Sequence, residues 1–180
     1  AGNLITRTDA RNETRSYRYD ALGRPIRIEF GGGSSVIFSY DQGSNGIGRL
    51  TQMTDPAGTT SWTYNNQGRI SSKTYVYGSL KLVTRYAYYS DGHLKALTYP
   101  SGKSVQLTYQ NGLVTAMNSD GKALVSNINY QPFAAPVNWV FGNGIKTARE
   151  FDLDGRLIAY ELGNRTRELT YDVAGRIANF

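Results

Sequence analysis

Along most of this 180-residue chain, apolar and polar positions alternate with a period of two, as they do in strands with one side covered and one side wet. Ile26, Ile28 and Phe30 share one face ahead of Gly31-Gly32-Gly33, and Val36, Phe38 and Tyr40 then share another. Leu80, Leu82, Thr84, Tyr86 and Tyr88 alternate without interruption. Val105, Leu107 and Tyr109 follow Pro100-Ser101-Gly102, and Leu124, Ser126, Ile128 and Tyr130 follow Ser119-Asp120-Gly121. Val137, Trp139 and Phe141 precede Gly142-Asn143-Gly144. Asp-Gly and Asn-Gly between alternating runs are the strongest short-range hairpin signal. No segment carries the 3.6-residue pattern of an amphipathic helix. The spacing predicts an all-β chain: sequential hairpins joined by tight turns into one antiparallel meander.

The turns themselves recur. An aromatic anchor falls at Tyr19, Tyr40, Tyr64, Tyr88, Tyr109, Tyr130, Phe151 and Tyr171, at intervals of 21, 24, 24, 21, 21, 21 and 20 residues. Gly23, Gly68, Gly92, Gly155 and Gly175 each lie four positions after their anchor, and Gly112 lies three after Tyr109. The insertion Gly43-Ser44-Asn45-Gly46-Ile47 delays the second glycine to Gly48. A basic residue and then an aliphatic follow in Gly48-Arg49-Leu50, Gly68-Arg69-Ile70, Gly155-Arg156-Leu157 and Gly175-Arg176-Ile177. His93-Leu94 replaces that pair in the fourth unit, and Tyr130-Gln131-Pro132-Phe133-Ala134 has lost its glycine. Asp20 and Gly23, Asp152 and Gly155, and Asp172 and Gly175 occupy the first and fourth positions of a turn, where Asp accepts backbone N–H groups and Gly tolerates positive φ. Each anchor tyrosine is expected to pack its ring on the sheet and turn its hydroxyl to water.

Composition removes most catalytic readings. With no Cys there is no disulfide framework, thiolate metal site or cysteine nucleophile. His93 is the only histidine, so a two-His metal site is excluded and a catalytic triad has a single candidate base. The expectation is a non-enzyme without cofactor or metal. No apolar run approaches the roughly 20 residues of a spanning helix, so no membrane span is expected. Net charge is +6 but uneven. Residues 61–149 carry +7, residues 1–60 carry +1 and residues 150–180 carry −2. The basic groups are single charges spaced along strands, which keeps a sheet wet and its edges unsticky, and no nucleic-acid partner is expected. Ala1-Gly2-Asn3-Leu4 offers neither a leader pattern nor an initiator Met, and both ends cut through repeat units, as in a fragment of a larger protein.

The units Tyr19-Asp20-Ala21-Leu22-Gly23-Arg24 and Tyr171-Asp172-Val173-Ala174-Gly175-Arg176-Ile177 resemble the YD repeat, also called the RHS repeat, of bacterial polymorphic toxins, toxin-complex subunits, wall-associated proteins and animal teneurins. The Tyr64-Gly68-Arg69 and Phe151-Asp152-Gly155-Arg156 units, with the turns Asp55-Pro56-Ala57-Gly58-Thr59 and Tyr99-Pro100-Ser101-Gly102, fit the same frame, so the resemblance covers essentially residues 1–180. It implies a curved β-strip within a larger spiralling shell that encloses a C-terminal toxin effector. The implied partners are neighbouring repeats, the enclosed effector and components of a type VI secretion apparatus or toxin-complex translocator. The implied location is outside the producing bacterium or on its surface. The rival implication is a teneurin-like adhesion scaffold that binds carbohydrate or protein. The self-cleaving core of such shells carries Asp-Pro-x-x-Gly elements beside the effector, whereas Asp55-Pro56 lies inside the array and reads as a turn.

The remaining candidates are weaker. His93 fills the basic slot after a turn glycine. Asp152-Leu153-Asp154-Gly155 starts like a calcium loop without the distal Glu or helices. Asn12-Glu13-Thr14 and Asn164-Arg165-Thr166 fit the short glycosylation pattern, and Gly46-Ile47-Gly48 lacks the strand–helix context of a phosphate loop. The 14 tyrosines are a candidate platform for sugar or peptide, set against their use in packing the strip.

Overall fold

The computed structural model describes residues 2–132, 135–163 and 165–180. Its described residues form strands and turns and no helix. They divide into two units: one runs to Ala87 and includes Thr98–Gly102, and the other takes Tyr88–Leu97 and Lys103–Phe180.

The first unit holds β1 (Thr6–Thr8), β2 (Thr14–Tyr19), β3 (Pro25–Phe30), β4 (Ser35–Tyr40), β5 (Leu50–Asp55), β6 (Gly58–Tyr64), β7 (Ile70–Tyr77) and β8 (Leu80–Tyr88). Each strand pairs antiparallel with its sequence neighbours, so spatial order is chain order. Partners across a ladder share a side of the sheet. One side runs Phe38, Met53, Thr60, Tyr75, Leu82 from β4 to β8, while the opposite side runs Ser39, Gln52, Ser61, Thr74, Val83. The alternation in the sequence thus becomes one aromatic and aliphatic side and one side rich in Ser and Thr. One expectation changes here. Ile28 pairs with Val36, so Val36, Phe38 and Tyr40 lie on the same side as Ile26, Ile28 and Phe30. A tight hairpin preserves sidedness between partners, and the Gly31-Gly32-Gly33 turn does not flip it.

The second unit holds β9 (Leu94–Thr98), β10 (Ser104–Gln110), β11 (Leu113–Ser119), β12 (Lys122–Tyr130), β13 (Pro136–Phe141), β14 (Lys146–Phe151), β15 (Leu157–Leu162) and β16 (Arg165–Glu168), with the pair β17 (Thr170–Tyr171) and β18 (Ile177–Asn179). The ladders from β10 to β16 are again antiparallel and in chain order. Here β12 departs from strict alternation. Val125, not Leu124, meets Met117 and Phe141, and register slips around both Leu124 and Asn127. Asn127 sits at φ 53, the left-handed conformation that Asn tolerates best among side-chain-bearing residues. These irregularities move the apolar face from Val125 to Ile128 and Tyr130 along one strand.

Neither unit has a second layer over its apolar side among the described residues. Among the described residues Ala159 is the buried apolar side chain, Thr51 and Thr60 are the buried polar ones, and no large side chain is fully enclosed. Stability must come from ladder hydrogen bonds, from neighbours on the same side, and from whatever ties one repeat to the next.

Candidate functional site

The recurring turn supplies that tie. In the first, the Gly23 amide donates to the Asp20 carbonyl at 3.0 Å and the Asp20 amide to the Arg24 carbonyl at 3.0 Å. Asp20 Oδ1 accepts the Leu22 and Arg24 amides, both at 2.9 Å, and Asp20 Oδ2 accepts Arg24 Nε at 2.7 Å. Asp152 and Asp172 repeat the arrangement with the amides of Asp154 and Arg156, and of Ala174 and Arg176. In both turns the arginine Nε donates back to Oδ2, at 2.7 and 2.8 Å. Asn65 does the same for Gln67 and Arg69 through its one oxygen. A short acceptor side chain at this position caps two amides that the turn would otherwise leave open.

These contacts move the carboxyls. Asp20, Asp152 and Asp172 lie below the usual carboxylate range, chiefly because the amide of the following arginine donates to each. Asp41 is also lowered, with the Arg24 guanidinium as the first cause and the Gly48 amide as the second. Burial pushes the Tyr40 and Tyr109 phenols up.

Five of the anchor tyrosines turn their hydroxyls to backbone carbonyls rather than to water. Tyr40 donates to the Pro25 carbonyl at 2.9 Å, Tyr130 to Val114 at 2.7 Å and Tyr171 to Leu157 at 2.7 Å. Tyr19 reaches the Leu4 carbonyl and Tyr64 the Leu50 carbonyl in the same way. Each acceptor lies just after the preceding turn, so each hydroxyl crosses from one repeat to the one before it. A reason is visible in the ladders. Register slips at Arg18/Tyr19, Ser39/Tyr40, Thr63/Tyr64, Glu150/Phe151 and Thr170/Tyr171. At each slip the partner strand gains an extra residue, which bends the backbone at the anchor. Neither the bulges nor the hydroxyl acceptors follow from a period-two pattern. The signal available for them was the fixed count between each aromatic and the aliphatic after its turn.

Arginine completes the connection forward. The Arg24 guanidinium carbon lies 4.4 Å from the Tyr40 ring centroid, while its Nη1 and Nη2 meet Asp41 Oδ1 and Oδ2 at 3.1 and 2.6 Å. Arg49 lies over Tyr64 at 5.6 Å and donates to the Gly68 carbonyl at 3.2 Å, and Arg156 lies over Tyr171 at 5.0 Å. Tyr, Asp, Gly and Arg therefore act together as a clasp between successive repeats. Tyr19, Asp20, Gly23, Arg24, Asp152, Gly155, Arg156, Tyr171, Asp172, Gly175 and Arg176 all take part in their turns, and Gly68 seats the arginine of the repeat before it. Phe151 keeps the anchor place, at the register slip, without a hydroxyl.

The other candidates resolve locally. His93 donates its amide to Asp91, and its ring lies 4.8 Å from that of Tyr109, the place arginine takes in other repeats. Both oxygens of Asp152 are taken by the turn and by Arg156. Ala57 caps on Asp55 Oδ1 and Asp55 pairs with Gly58, so Asp55-Pro56 is the turn between β5 and β6. Asn12 sits in a tight turn, its amide bonded to the Asp9 carbonyl. Gly46-Ile47-Gly48 is part of the loop before β5. Asn164, Phe133 and Ala134 lie outside the described residues. No helix of the described residues is long and apolar enough to cross a membrane.

Comparison with known proteins follows the same frame. The RHS repeat model matches residues 1–35 and 45–80. No curated protein matches the chain. The fold is similar to that of the TcdB2-TccC3 crystal structure, with a TM-score of 0.72 at 14% identity over 98% of this chain and 12% of that one. It is similar to TcdB2-TccC3-Cdc42, with a TM-score of 0.70 at 15% identity over 98% of this chain and 12% of that one. It is also similar to the Tc holotoxin pore of Photorhabdus luminescens, with a TM-score of 0.69 at 15% identity over 98% and 11%. The chain thus spans about an eighth of the chains it resembles. The RHS repeat model thus falls within the first unit, while the tyrosine–aspartate turns recur in both units of a fold similar to that of these toxin-complex chains.

Proposed function

We propose that this chain is a structural wall segment of an RHS shell that encloses a C-terminal toxin effector and protects it until delivery from a bacterium. The observation that carries this reading is the use of the repeat's own polar groups. Tyrosine hydroxyls and the Arg24–Asp41 pair are spent on joining one repeat to the next, and the oxygens of Asp20, Asp152 and Asp172 on closing their own turns. What remains is a sheet built by extension, each repeat adding hairpins clasped to the last, as suits a barrier. Its eight repeat units act as scaffold and carry no catalysis of their own. The partners on this reading are the flanking repeats, the enclosed effector and the delivery apparatus.

Removing one whole repeat, residues 41–64, from the full-length protein tests it. The expected result is an effector that becomes sensitive to added protease while the wall is still produced. Unchanged protection would refute enclosure.

A further inference from the structure

Charge is sorted by side across β14, β15 and β16. The pairs Arg149↔Tyr160 and Tyr160↔Arg167 place two guanidinium groups and a phenol in one cross-strand row, and Arg165 shares that side. The opposite side carries Glu150, Ala159 and Glu168 in the matching row, with Glu161 beside them. All three arginines are exposed, and among the described residues none of them forms an ion pair. The Arg149 guanidinium carbon lies 4.9 Å from the Trp139 ring centroid, and Phe141 meets Trp139 edge-on at 6.0 Å.

Two clefts flank this pair. One, of about 240 Å³, is lined by Trp139, Phe141, Ile145, Arg149 and Tyr160, with Lys146, Thr147 and Glu161 at its margin. The other, of about 280 Å³, is lined by Met117, Val125, Ile128, Tyr130 and Pro136 and shares Trp139 and Arg149 with the first. Arg149 and Trp139 therefore line both clefts, the first walled on one side by Phe141 and Ile145 and the second by Met117, Val125 and Ile128.

We propose that this side of the second unit docks an extended polypeptide segment carrying one acidic side chain between two apolar ones. In an extended chain, positions i, i+2 and i+4 project to one side. The acidic group at i+2 meets the Arg149 fork, and the apolar groups at i and i+4 enter the two clefts. Charge-assisted bonding to a planar guanidinium favours a carboxylate. The aliphatic walls around Ile128 and Met117 offer no partners for sugar hydroxyls, which would be buried unsatisfied. The glutamate row repels the same segment from the reverse side. This inference stands apart from enclosure: a wall that never touched its contents would still enclose them, and protease protection would be unaffected by its failure.

Fluorescence anisotropy with the 180-residue chain and two labelled peptides, Thr-Leu-Thr-Glu-Thr-Leu-Thr and its Lys-centred counterpart, tests it. The expected result is saturable binding of the Glu peptide, weakened about tenfold by Arg149→Glu, which should gain the Lys peptide instead. Glu150→Arg, on the reverse side, should leave both peptides within about twofold. Should Arg149→Glu lose its β-sheet circular dichroism, Arg149→Gln keeps the side-chain stem and should still erase the preference for Glu over Lys. Equal binding of the two peptides, no binding of either, or saturable binding only of a heparin fragment or oligo-dT overturns the proposal.

Discussion

The turn at Asp20–Arg24 and the turn at Asp152–Arg156 carry the same motif and use its arginine differently. In both, Nε returns to the aspartate of its own turn at 2.7 Å. The difference lies at the end of the guanidinium. Arg24 reaches forward to Asp41 in the next repeat at 2.6 Å, whereas Arg156 is held by Asp154 in its own turn at 3.1 Å. Position two after the turn aspartate is Leu22 in the first and Asp154 in the second. An acid inside the turn competes with the acid of the next repeat. The first unit shows the forward reach twice, since Arg49 also extends to Gly68. The charge of the clasp thus joins repeats at Arg24 and closes within the turn at Arg156, where Asp154 offers a nearer acid and Asp172 is already held by Arg176. The ring contacts to Tyr40 and Tyr171 persist in both.

The strongest way to break the comparison is at glycine. Gly68 and Gly155 both sit at φ +78, so a side chain at either is strained. A Cβ at Gly68 would lie 2.1 Å from Arg49 Nη2, while a Cβ at Gly155 would meet nothing within 4 Å. Gly155→Ala should cost about 1 kcal/mol from the backbone alone. Gly68→Ala should cost about 2–3 kcal/mol because it also displaces Arg49. Equal losses in denaturant melts would mean that the forward arginine contributes nothing. Next is the hydroxyl link, which the two units share. Tyr40→Phe and Tyr171→Phe should each lose about 1 kcal/mol. A loss at Tyr40 alone would confine the clasp to the first unit.

Acid should separate the turns more gently. Asp20 and Asp41 have folded-state carboxyls below the ordinary 3.8, so their contribution is present above that value and is lost as pH falls through the lowered one. Melting temperature should drift down from about pH 4. Asp41→Asn should flatten part of that drift, and an unchanged acid limb would show that Arg24 gains nothing from Asp41. The smallest effect is expected from Asp154→Leu, within about 0.5 kcal/mol of wild type, because exposed ion pairs contribute little. Its value is as a double-mutant cycle. With Asp154 gone, coupling between Arg156 and Asp172 should appear, and its absence would assign the difference between the turns to their backbones.

Much of this was legible in the residues. Period two and regular Asp-Gly and Asn-Gly turns specify strands, hairpins and chain-order pairing, because side-chain alternation and turn dihedrals are local properties. Asp20 as a cap was legible for the same reason. What crosses between repeats was not. The acceptor for Tyr40, the carbonyl of Pro25, lies 15 positions back, and a bulge directs the ring there. In β12, Leu124-Ser126-Ile128-Tyr130 reads as one face, yet the slip at Asn127 brings Val125 to it, and nothing in apolar spacing distinguishes a strand from a strand with one residue extra. The cleft that brings Val125 and Ile128 together beside Trp139 depends on that same slip.

The order of the strands has a kinetic meaning as well. Thr59↔Val76, among the longest ladder pairings in the first unit, joins residues 17 positions apart. Contacts this short in sequence close small loops, so each hairpin can form as soon as its second strand exists, without waiting for a distant partner. A newly made chain could lay down its repeats one after another from the N-terminus, each clasp locking the last before the next is synthesised. The unpaired edge exposed at any moment would be a single strand.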